Sequence, residues 1–182
     1  MCWYITATLP SRDDVVRLRP LIEDHGLAFT PLSNPSVQAM LREDEYYARA
    51  TASHCDCSSS LGDRSDEEAS NTREARIRNQ RRRGWSDARI ARWLAEVERH
   101  RASTTETDLP NWVVFLRRAL SRRQPEYVGL LLHEYREDLE TESIKIKSTE
   151  FMPVAVVDEN VLENITPDVL YRFHARGPWR RS

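Results

Sequence analysis

The stretch YVGLLLHEY, residues 127–135, constrains the fold more than any other part of the chain. It is almost wholly apolar or aromatic, too short for a helix buried on all sides, and preceded by Pro125. Such a segment predicts a strand at the centre of a sheet, covered on both faces. The remaining elements must then supply neighbours for it and layers to cover it.

CWYITATL (2–9) is β-branched and aromatic, and predicts a strand. Ser11 follows as an N-cap with Asp14 at the N3 position, and Val15, Leu18 and Ile22 form one helical stripe. Pro20 predicts a kink, and Gly26 a left-handed stop. LAFTPL (27–32) reads as an edge strand, because Pro31 has no N–H to give a ladder. Asn34 and Pro35 read as an N-cap and a first-turn proline of a short helix through Val37, Met40 and Leu41. EYYARAT (45–51) predicts a strand that runs straight into SHCDCSSSLG (53–62).

The middle of the chain changes character. DRSDEEASNTREARIRNQRRRG, residues 63–84, has almost no apolar side chains to bury. WSDARIARWLAEVERHR then regains helical spacing at Ile90, Trp93, Leu94 and Val97, with Ser86 as cap and Trp85 placed to staple onto Ile90. A separate helix is expected from a cap near Asp108, with Pro110 early and Trp112, Phe115, Leu116, Ala119 and Leu120 on one face. Beyond the central strand, REDLETE reads as a hairpin loop, SIKIK (143–147) as an alternating strand and PVAVVD (153–158) as another. Thr166 and Pro167 read as the start of a last short helix through Leu170 and Phe173.

This order predicts one α+β domain over residues 1–182. A mainly antiparallel sheet would be covered by helices in a two-layer sandwich, with residues 63–101 as a projecting, arginine-rich helical insertion. No apolar run approaches the roughly 20 residues of a membrane-spanning helix, and MCWYITATLP lacks the basic start of a signal peptide. The expectation is a soluble, cytoplasmic protein without a membrane partner. Three cysteines, an odd and small number, argue against a disulfide framework and leave free thiols or metal ligands.

Cys2, His54, Cys55 and Cys57 make the first candidate site. Thiolate and imidazole are the ligands zinc prefers, and three cysteines with one histidine would complete a tetrahedral structural centre. The spacing is unusual. Adjacent His54 and Cys55 point to opposite sides of an extended backbone, and Cys2 can join only if the first strand neighbours residues 45–57. His133 on the central strand is an alternative fourth ligand. The leading expectation is therefore a binding or regulatory protein with a structural zinc site.

Two further chemistries are compatible with the same residues. Removal of Met1 would place the Cys2 thiol beside a free α-amino group, the arrangement of N-terminal nucleophile hydrolases. Alternatively Cys55 or Cys57 could pair with His54 or His133 as thiolate and base.

The arm offers a different surface. Of 27 basic residues only Lys145 and Lys147 are lysine, a bias that a GC-rich genome would also produce. Between residues 73 and 92, eight arginines face only Glu74 and Asp87. Arg76, Arg78, Arg81, Arg82, Arg83 and Arg89, with Trp85 for stacking, suit a nucleic acid or an acidic protein partner. Asp63, Asp66, Glu67 and Glu68 just upstream could instead fold back on them.

Overall fold

The computed structural model describes residues 2–53, 55–57, 59–62, 77–78, 80–82, 84–121 and 125–175, without the side chains of 96–107. Six strands form one sheet: β1 Cys2–Leu9, β2 Leu27–Pro31, β3 Tyr46–Thr51, β4 Tyr127–Tyr135, β5 Ser148–Pro153 and β6 Val169–His174. Among the described residues the main helices are α1 Arg12–Asp24, α2 Pro35–Gln38, α3 Asp87–Leu120 and α4 Glu159–Glu163. The strand order is β2-β3-β1-β4-β6-β5. β5 and β6 are parallel and the other neighbours antiparallel, so the sheet is mixed and the class is α+β.

YVGLLLHEY forms β4, with β1 on one side and β6 on the other. Its alternate residues feed two cores. Leu130, Leu132 and Val128 join Ile5, Ala7 and Leu9 of β1 beneath Leu18 and Ile22 of α1, and Trp112, Phe115, Leu116, Ala119 and Leu120 of α3. Leu131 and Tyr135 face the opposite way, with Tyr47, Val37, Ile144 and Leu170. The sheet thus carries apolar side chains on both faces. The expectation of a two-layer sandwich did not include this second, smaller core.

The local signals that held are those of capping and edges. Ser11 Oγ accepts from Asp14 N, Asn34 Oδ1 accepts from Ser36 N and Val37 N, and Gly26 takes φ +64° after α1. Pro31 ends β2 at the sheet edge.

Four expectations are corrected. The helix expected to start near Asp108 is instead the second part of one 34-residue helix, with Pro110 inside it. Asp108 lies inside that helix, capped instead by Ser86, and its Oδ2 accepts from Ser60 N at 3.0 Å, across a loop contact the sequence does not show. SIKIK is not a strand: Ile144 N donates to Ser36 Oγ of α2 and Lys147 N to Asp168 O, and strand pairing begins at Ser148. PVAVVD contains a 3-10 turn at Val154–Val156, followed by Asp158, which caps α4 through Val161 N. Thr166 and Pro167 lead into a turn at Asp168, with φ +63°, and then into β6, not a helix.

Candidate metal centre

Cys2 opens β1, while Cys55 and Cys57 lie in the turn that follows β3. β1 and β3 are neighbours, as a joint site requires, but their ladder covers only Thr6 to Leu9 of β1. Beyond Thr51 the chain leaves β3's line, and the turn takes over the open edge of β1. Asp56 N donates to Trp3 O at 2.8 Å, Ile5 N donates to Asp56 Oδ2 at 2.8 Å, and Trp3 N donates to Cys57 Sγ at 3.2 Å. A side-chain carboxylate and a sulfur thus accept hydrogen bonds that a strand would otherwise take.

The turn is built around Asp56, which is 1% exposed. Its Oδ1 accepts from Ser53 Oγ, and its carbonyl accepts from both Ser59 N and Ser59 Oγ. Gly62 N returns to Ser59, and a Cβ at Gly62 would overlap the Asp56 carbonyl oxygen, so only glycine fits. Ser60 N donates to Asp108 on α3, and Leu61 is fully buried in the main core. Burial pushes the carboxyls of Asp56 and Asp108 upward, opposed in each case by the backbone N–H groups they accept from.

The result of this scaffolding is that the ligand atoms of Cys2, Cys55 and Cys57 all lie within 4.8 Å of one another. Each residue is half-buried and none is in a disulfide. Burial pushes the Cys57 thiol up to about 12, and the neighbouring Cys55 and Cys2 add to the rise against the opposing Trp3 N–H. Without an ion, Cys57 holds its proton at neutral pH. A cation among the three sulfurs would reverse that balance, since it favours thiolate.

His54 lies outside the described residues. His133 does not join the cluster: its Nδ1 lies 2.6 Å from Asp168 Oδ1, and its Nε2 faces Glu142 Oε1 at 3.5 Å. Lys147 completes this group at 3.1 Å from Asp168 Oδ2. His133 therefore lies between Glu142 of the 136–147 segment and Asp168 of the turn before β6. Two residues escaped the sequence reading. Asp56 could have been found from the Asp-to-Ser spacing that marks such turns. Tyr4 could have been found from its position two residues after Cys2 on one face of a strand.

In the arginine-rich segment, residues 77–78 and 80–82 are helical and Arg78, Arg81, Arg82 and Arg89 are exposed, while Arg76 and Arg83 lie outside the described residues. Arg81 pairs with Asp87 at 3.0 Å. Arg89 stacks 4.0 Å over the Trp85 ring, and the Trp85 and Trp93 rings meet edge to face with centroids 6.1 Å apart. Among the described residues no helix is long and apolar enough to cross a membrane. No family model, no curated protein and no solved structure matches the chain.

Proposed function

We propose that this protein binds a thiophilic metal ion through Cys2, Cys55 and Cys57, and that the ion has a structural or regulatory role, tying the 53–62 turn to β1. The carrying observation is the approach of three sulfurs, from two segments more than fifty positions apart, to within 4.8 Å of one another. Bonds of about 2.3 Å in a tetrahedral zinc–thiolate centre set sulfurs roughly 3.8 Å apart, so small side-chain rotations close the site. Thiolates select zinc, copper(I) or iron, and zinc is the ion for which a closed three-cysteine set with one further ligand is commonest. His54 is the fourth ligand of this proposal on its chemistry, imidazole being a ligand zinc prefers.

The surroundings favour binding over nucleophilic catalysis. A reactive cysteine needs a depressed pKa, whereas burial drives Cys57 the other way, and His133 is held by Asp168 and Glu142. The Trp3 N–H that points at Cys57 is the kind of outer donor that stabilises a metal-bound thiolate.

The test is metal analysis of protein purified without an affinity tag under reducing conditions, followed by cobalt(II) substitution. One ion per chain and an intense sulfur-to-cobalt absorption band are expected, both lost in Cys2→Ser, Cys55→Ser and Cys57→Ser. Mere traces of zinc, iron and copper together with no cobalt band would overturn the reading.

A further inference from the structure

Arg49 lies on β3 opposite Thr6 of β1 and Thr30 of β2. Its guanidinium carbon sits 5.0 Å from the centre of the Tyr4 ring. Tyr4 is two residues from Cys2 on the same strand, so both side chains leave the same face of the sheet. Arg49 thus reaches along that face towards the end of β1 where the sulfurs gather.

Its environment is electrically incomplete. Arg49 Nε and Nη2 are shut off from solvent and have no hydrogen-bond partner among the described residues. No carboxylate pairs with it there either. The acid whose field it feels is Asp56, and both oxygens of that carboxylate already accept, from Ile5 N and Ser53 Oγ. Arginine cannot shed its proton to escape this cost. Three protonated cysteines would not relieve it, being neutral. Three thiolates around a divalent ion carry one net negative charge, which is what the site beside Tyr4 lacks.

We propose, on the strength of the metal reading above, that Arg49 is the counter-cation of the metal–thiolate centre, a positioning and charge-balancing residue that makes the site one for low-charge ions. The consequence is an affinity that depends on the charge of the ion. Binding zinc(II) to three thiolates creates an anionic centre that Arg49 stabilises. Arsenous acid instead condenses with three thiols to a neutral arsenic(III) tris-thiolate, releasing three waters, with no change in charge or oxidation state. Arg49 should matter to the first and not to the second.

The experiment measures both ions on the full chain, zinc(II) by competition with a chromophoric chelator and arsenic(III) by its thiolate absorption. Arg49→Met is expected to weaken zinc by roughly 10- to 100-fold, the usual effect of losing an outer partner of a metal ligand. Arsenic binding should stay at the wild-type level, showing that the three sulfurs are still assembled. Arg49→Gln, polar but uncharged, should behave as Arg49→Met, and Arg49→Lys should recover most of the zinc affinity.

Unchanged zinc affinity in Arg49→Met overturns the proposal. So does a parallel loss of zinc and arsenic in both uncharged variants, which would make Arg49 a packing residue. Wild-type protein that takes up no zinc would overturn the metal reading itself, a different and separable result.

Discussion

The backbone N–H of Trp3 donates to the sulfur of Cys57 at 3.2 Å, joining the first strand to a turn 54 residues away. The bond exists because β3 stops short of the start of β1 and the cysteine turn occupies the vacant edge. Asp56 holds that turn in place, and its carboxylate does the work that a strand carbonyl would do for Ile5 N.

Asp56→Ala should destabilise the protein by about 1–3 kcal/mol, because it leaves the Ile5 N–H buried without an acceptor. Asp56→Asn, which keeps a carbonyl oxygen, should recover part of the loss. Asp108→Ala removes the acceptor of Ser60 N in the same turn. Urea unfolding of the two alanine variants and their double should therefore show non-additive losses, since both anchor one structural unit. Strict additivity would show that the two anchors act independently.

The His133 group gives a prediction in pH. Burial alone would raise Glu142 and Asp168, yet both lie below the ordinary carboxylate range: backbone donors Glu137 N and Arg136 N, with His133, hold Glu142 down, and His133 and Lys147 hold Asp168 down. A carboxyl lowered in the folded state contributes stability above its unfolded pKa and loses it as pH falls through the folded value. His133→Gln should cost about 1–2 kcal/mol at neutral pH and flatten the loss of stability on acidification below about pH 4.5. Thermal melts from pH 3 to 7 check this, and parallel curves for the two proteins would count against it.

Gly129 lies opposite Thr8 in the β1–β4 ladder, and a Cβ there would run into Thr8 Oγ1. Gly129→Ala should destabilise by about 1–3 kcal/mol through overpacking at the centre of the sheet. Thr8 Oγ1 is buried with no hydrogen-bond partner among the described residues, so Thr8→Ala vacates the space and forfeits little. The double variant should be more stable than Gly129→Ala alone in denaturant unfolding.

Glu45 and Arg172 form an ion pair at 2.8 Å with side chains 0% and 12% exposed, and Arg172 also lies 4.6 Å over the Tyr127 ring. Glu45→Ala should cost about 3 kcal/mol, because the guanidinium is left without its carboxylate in a buried setting. The exposed pair Arg118–Asp24, at 3.0 Å, offers a control: Asp24→Ala should change stability by less than about 1 kcal/mol. Added salt should weaken the second effect and barely touch the first.

Everything that depends on neighbours within a few positions was legible in the residues themselves. Ser11, Asn34 and Ser86 cap their helices as their spacing indicates, Pro31 confines β2 to an edge, and the apolar run 127–135 is the central strand. The buried stripe from Trp112 to Leu120 is also where helical periodicity puts it. These are local effects, in which backbone preference and solvent act directly on each segment.

The errors came where backbone groups found distant partners. SIKIK alternates like a strand, but the amides of Ile144 and Lys147 go to Ser36 and Asp168, and the helix expected to begin near Asp108 runs through it, leaving that carboxylate to Ser60 N. The candidate centre shows both halves of the lesson. Cysteine and histidine content named a ligand set, and only the tertiary fold separated its members: β1 beside the turn brings Cys2 to Cys55 and Cys57, while Asp168 and Glu142 claim His133. Ligand identity is a property of side-chain chemistry, written in each residue. Ligand proximity depends on which strand edges are left open and which buried charges find partners, and those are decided only when the whole sheet closes.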